Sequence, residues 1–123
     1  MTKYGKKEWV IPDGYLPTQS SNNLESHESI CVLNLNKETA NISLSFFFEN
    51  RSPIESFQVK CKGLRTNHIR VDKLKTDKQK VVPKGVPYAI KIESDKPIYV
   101  QLSRLDSTQK ELALMTTMAW PAK

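Results

Sequence analysis

Apolar and polar residues alternate along much of this 123-residue chain. That is the period of a strand, whose successive side chains face opposite sides, and not the three-to-four-residue recurrence of a helix. Over residues 41–48, Ile42, Leu44, Phe46 and Phe48 fall on one side. After the turn residues Arg51, Ser52 and Pro53 the same phase resumes at Phe57, Val59 and Cys61, which predicts a hairpin. Ile69 and Val71 alternate with Thr66, His68 and Arg70, and Tyr88, Ile90 and Ile92 alternate with Ala89, Lys91 and Glu93. Both segments fit half-buried strands. Ser94, Asp95, Lys96 and Pro97 read as a turn, beyond which Ile98, Val100 and Leu102 point one way and Tyr99, Gln101 and Ser103 the other. A second hairpin is expected there.

Residues 29–34 and 112–119 supply two more β-rich runs, and residues 7–11 a short edge strand. About eight strands result, the count of an antiparallel β-sandwich, and the all-β fold is expected to form a single domain over residues 1–123. The best candidate for a short helical turn is 107–114. Two long polar loops interrupt the pattern, one at 12–28 and one at 72–87, the latter with Pro83, Gly85 and Pro87.

Charge changes this picture little. The formal net charge is +6, and residues 72–84 hold five lysines against two aspartates. Arginine and aromatic residues are not interleaved with them, so a solvated loop is expected and nucleic acid is not the expected partner. No apolar run approaches the roughly 20 residues that cross a bilayer, and no secretory signal is visible, so membrane insertion is not expected and a cytoplasmic location is. Cys31 and Cys61 lie in strand-like stretches and are expected to be buried free thiols.

Catalytic chemistry is weakly represented. The four glycines are scattered, so no phosphate-cradling loop is present. Ser26, His27 and Glu28 place a hydroxyl, a base and a carboxylate side by side, but neighbours on an extended chain face opposite ways and cannot relay a proton. A metal set drawn from His27, His68, Glu28 and one cysteine has no familiar spacing, and neither metal nor cofactor is expected. More informative is a polar stripe: Thr66, His68 and Arg70 share one side of a strand, Tyr99, Gln101 and Ser103 share one side of another, and Arg65 and Arg104 flank them. Such a face suits either a shallow site for a small hydroxylated or anionic molecule or the solvent side of a sandwich. Trp9, Tyr15 and Trp120 are candidates to stack on a ligand or to fill the core.

The run Ser26-His27-Glu28-Ser29-Ile30-Cys31-Val32-Leu33-Asn34, with Arg65-Thr66-Asn67-His68-Ile69-Arg70 and 97–107, resembles the sensory rhodopsin transducer family. With Trp9, Gly14, Tyr15 and Pro17, the resemblance covers almost the whole chain. It implies a small β-sandwich, in one branch partnered with a microbial photoreceptor and in others similar to binding domains for sugars or related molecules, with cyclic tetramers among its members. It implies a ligand site carried by Trp9, His27, Glu28, Arg65, His68, Arg70, Gln101 and Arg104, expected to gather into one patch. The lysine-rich loop and basic N-terminus depart from the photoreceptor-associated pattern. Three functions follow for test: a non-enzymatic module that binds a sugar-like ligand and signals through a homotetramer, a protein-interaction transducer that docks a receptor or regulatory protein with no small ligand, and a hydrolase or isomerase using His27 and Glu28.

Overall fold

The computed structural model describes residues 4–18, 26–107 and 113–122. Their regular structure is all strand apart from one 3-10 turn at Val71–Lys73. In chain order the strands are β1 (Lys6–Gly14), β2 (His27–Asn34), β3 (Ala40–Phe47), β4 (Ile54–Cys61), β5 (Arg65–Arg70), β6 (Tyr88–Asp106), β7 (Ala113–Met118) and β8 (Trp120–Pro121). Every pairing is antiparallel.

The 19-residue β6 organises the sandwich, because its two halves belong to different sheets. The first half lies in the order β4-β3-β6-β1-β8, and the second half pairs β2 and β7, with β5 beyond β2. One side of β6 stays inward throughout: Tyr88, Ile90 and Ile92 in the first half, then Ile98, Val100 and Leu102 in the second, are all buried. A strand that passes between sheets in this way forms a corner of the sandwich.

The expected turn at 94–97 is therefore not a turn but the joint between these halves. Pairing with β3 ends at Ser94 and pairing with β2 begins at Tyr99. Pro97, which has no N–H to give to a ladder, falls between them, and its carbonyl accepts from Asn36 Nδ2 at 2.7 Å. Asp95 accepts from the Asn41 backbone N–H at 2.8 Å and from Asn41 Nδ2 at 2.9 Å, so residues that signal a turn in sequence here tie β6 to β3.

Other boundaries shift for local reasons. The expected short edge strand at 7–11 is a nine-residue strand paired with β6 on one side and, at Trp9 and Val10, with β8 on the other. Pro12 sits in a register irregularity between Ile11 and Gly14, where no ladder bond is required of it. Val71 leaves strand geometry for the 3-10 turn yet remains buried. Of the expected helical turn, Ser107 follows β6, Ala113 and Leu114 open β7, and 108–112 lie outside the described residues.

The two sheets enclose one apolar cluster. At its centre the Phe46 ring meets Phe57 and Tyr88 edge-on, each with centroids 5.2 Å apart. Each such contact contributes about 0.5–1.5 kcal/mol beyond area burial. The 72–87 loop is anchored by buried Leu74 and Val82, while Lys73, Lys75, Lys78, Lys80 and Lys84 are exposed.

Candidate functional site

Residues paired across antiparallel strands share a face, so the register of β5, β2, β6 and β7 fixes which side chains meet. His68, Cys31, Gln101 and Met118 form one lateral row across the four strands. Arg70, Ser29, Ser103 and Thr116 form the next row, and Thr66, Leu33 and Tyr99 the one on the other side. Together they make the outer face of this sheet. Cys31 Sγ lies 3.6 Å from Ser103 Oγ, and Thr66 Oγ1 donates to the Val32 carbonyl at 3.0 Å. A shallow depression of ≈ 190 Å³ opens here, bordered by Leu33, Thr66, His68, Tyr99 and Gln101. The Tyr99 ring stands 6.5 Å from Trp9, centroid to centroid. His27, paired with Leu105, lies on the same outer face two residues from Ser29.

Glu28 and Arg104 occupy the opposite, inner face. Glu28 is fully buried, its Oε2 accepts from Arg104 Nε at 2.5 Å, and its Oε1 accepts from the Tyr88 hydroxyl. Burial pushes the Tyr88 phenol well above the usual range, and the Glu28 charge adds to the effect. Gly14 makes room for the pair: a Cβ there would stand 2.2 Å from Tyr88 Cε1 and 2.9 Å from Glu28 Oε1. Arg104 also borders a groove of ≈ 280 Å³ between β1 and β7, with Ile11, Asp13, Met115 and Trp120.

The remaining expected site residues divide further. Arg70 grips Asp72 with two hydrogen bonds, Nε to Oδ1 at 2.8 Å and Nη2 to Oδ2 at 2.7 Å. Burial alone would raise the Asp72 carboxyl, but the hydrogen bond and charge of Arg70, with smaller help from the Asp72 backbone N–H and from Lys73, hold the group below its ordinary value. Trp9 is a core residue whose indole N–H donates to the Lys6 carbonyl at 2.9 Å. Arg65 is exposed at the start of β5 and borders a different cleft. The expected single patch is thus reduced to His27, His68, Arg70 and Gln101, because alternation sends Glu28 and Arg104 inward and puts Arg65, paired with buried Asn34, on the side opposite Thr66 and His68. Trp120 is exposed and Tyr15 partly so.

The sequence pattern missed Cys31 and Leu33 as members of the outer face and Tyr88 as the partner of Glu28. Nothing local could have revealed Tyr88, which is 60 residues from Glu28. Asp72, two positions from Arg70, was within reach of a charge-pair reading. Of the two thiols only Cys61 is buried; burial pushes its pKa up, and its Sγ donates to the Arg65 carbonyl at 3.3 Å. Cys31 is half-buried, a correction to the expectation for both.

Residues 4–121 match the family model described as Anabaena sensory rhodopsin transducer. The chain belongs to that family. The crystal structure of Thermotoga maritima 1070 is similar at 39% identity and a TM-score of 0.85, with 95% of each chain covered. The Anabaena sensory rhodopsin transducer is similar at 29% identity and a TM-score of 0.75, over 86% of this chain and 93% of that one. No curated protein matches the chain. Membership makes this a transducer-type signalling domain. Among the described residues no helix is long and apolar enough to cross a membrane.

Proposed function

We propose that this member of the sensory rhodopsin transducer family is a non-enzymatic cytoplasmic module that binds a small, sugar-like ligand on the outer face of β5, β2, β6 and β7. The bound state passes to a receptor or regulatory protein through a homo-oligomer, taken as a tetramer. The observation that carries this reading is the lateral row of His68, Cys31 and Gln101 beside Tyr99 and Ser103. A hydroxylated ring needs neutral donors and acceptors and an apolar plate. Gln101 offers both an acceptor and two donors, His68 and Ser103 add more, and Tyr99 supplies the plate. The volume of ≈ 190 Å³ suits a single ring. In this reading Glu28, Arg104 and Trp9 support the site from behind, and Arg70 fixes its border through Asp72.

Calorimetric titration with a panel of neutral sugars and sugar acids tests the proposal on the native protein and on His68→Ala and Gln101→Ala. Neither side chain is in the core, so both variants should fold. Saturable binding that weakens at least about tenfold in both variants is the expected result. Silence across the panel, or binding indifferent to both substitutions, would defeat it.

A second reading, a transducer that docks a protein with no small ligand, is favoured by one separate observation. Every described residue of β7 is exposed, and among the described residues β7 pairs with β6 alone. Leu114, Met115, Met118 and Trp120 stand exposed along it and just beyond. Met115, Met118 and Trp120 border one groove, and exposed apolar side chains beside a strand edge that is unpaired among the described residues mark an interface. Light scattering on Met115→Lys/Trp120→Lys should show a smaller assembly than the native chain; an unchanged mass would remove this face from the interface.

A further inference from the structure

The sandwich has a second open side, where β4 and β5 come together. Each is a terminal strand, β4 pairing with β3 and β5 with β2. Asn67 Nδ2 bridges them by donating to the Lys60 carbonyl at 2.7 Å. Above this bridge lies a cleft of ≈ 730 Å³ lined by Thr39, Asn41, Lys60, Lys62, Arg65, Thr66 and Asn67. Three of these residues are cations and none is an acid. Lys60, Lys62 and Arg65 are exposed, and among the described residues none of the three forms an ion pair. Glu38 adjoins Thr39 in sequence, and Asp95 reaches the cleft's border through Asn41, whose backbone and side-chain amides occupy its carboxylate.

We infer that this cleft binds a phosphate group carried by a small hydroxylated molecule, at a site distinct from the depression on the outer face. Like charges gathered in one concavity repel each other unless an anion neutralises them, and a dianion is the species that three cations attract most strongly. The neutral groups extend the fit. Asn41 Nδ2 is engaged with Asp95 and Asn67 Nδ2 with the Lys60 carbonyl, so both amides turn an acceptor oxygen to other partners. Acceptors beside cations suit a ligand that brings hydroxyl donors with its phosphate. The volume lies within the roughly 300–1,000 Å³ of small-molecule sites.

Lysines on terminal strands also deter edge-to-edge pairing, a task that needs only charges along one strand. Here the cations come from β4, from the turn after it and from the start of β5, and they converge on one hollow. Thr66 forms the wall shared with the outer-face depression, and its hydroxyl proton is held by the Val32 carbonyl.

The test is titration of the full chain at low and at physiological salt with glucose 6-phosphate, glucose, inorganic phosphate and a short single-stranded oligonucleotide. Variants Lys60→Gln, Lys62→Gln and Arg65→Gln are exposed substitutions that keep the polar surface. Expected are saturable binding of glucose 6-phosphate, weaker binding of inorganic phosphate, and a loss of about tenfold in affinity for each variant. His68→Ala should leave this binding unchanged, which separates the site from the one proposed above. Binding of the oligonucleotide without the phosphate monoester, equal binding of glucose and its phosphate, or indifference to all three charge variants would each overturn the inference.

Discussion

Replacing Arg104 by methionine isolates the charge on which Glu28 depends. Methionine keeps much of the apolar stem opposite its cross-strand partner Met115, so the lost element is the guanidinium. Glu28 is left fully buried with only the Tyr88 hydroxyl as a partner among the described contacts. Removing one member of a buried pair costs about 3–5 kcal/mol, because the remaining charge keeps its desolvation penalty without compensation. Arg104 retains 24% side-chain exposure, and solvent screening through that opening places the expected loss near the lower bound, about 3 kcal/mol. At roughly 4 °C per kcal/mol for a domain of this length, Tm should fall by about 12 °C. Urea and thermal denaturation of the native chain, Glu28→Gln, Arg104→Met and the double variant complete the cycle. A neutral glutamine no longer requires a cation, so Glu28→Gln/Arg104→Met should recover more than half of the loss. If Arg104→Met unfolds within about 0.5 kcal/mol of the native chain, or is equally damaging in the Glu28→Gln background, the buried pair is not what holds this region.

The same network supports two further expectations. Gly14→Ala should destabilise by about 1–3 kcal/mol through the clash with Tyr88 and Glu28, read as a lower urea midpoint; a native midpoint would show that the strand end yields freely. The Tyr88 phenol is raised in the folded state, so the unfolded chain releases that proton first and stability falls as pH climbs past about 10. Tyr88→Phe should flatten that alkaline decline in denaturation midpoints, and an equal decline in both proteins would contradict the assignment. Asp72 has the opposite sign: its folded carboxyl is depressed, so the stability it contributes is present above its unfolded value of 3.8 and is lost as pH falls through the folded one. Asp72→Asn should therefore be less stable than the native chain at pH 7 and lose less on acidification to pH 2; parallel acid profiles would refute this.

Strand identity was legible because alternation is a local property. Ile42, Leu44 and Phe46, or Ile98, Val100 and Leu102, declare their buried side within five residues, and all six are buried. The joint in β6 was not legible, since Ser94, Asp95, Lys96 and Pro97 carry turn chemistry whatever their neighbours. The Lys96 N–H still donates to Ser94 Oγ, but it takes the arrival of Asn36 and Asn41 to give the Pro97 carbonyl and the Asp95 carboxylate partners in an extended chain. The outer-face site was half visible. His68 and Arg70 on one strand and Gln101 and Ser103 on another announce polar sides, but nothing in the order of residues says that β2 lies between them and inserts Cys31.

What the chain alone determined is therefore the all-β class, the buried side of β3, β4, β5 and both halves of β6, and the membership of the family, because period, turn chemistry and short motifs are written over a few residues. Tertiary structure decided that β6 serves both sheets and that Glu28 faces Tyr88 and Arg104. It also decided that Arg65 joins Lys60 and Lys62 instead of His68. Those outcomes depend on strand order and register, which are fixed by how residues dozens of positions apart bury their apolar faces together.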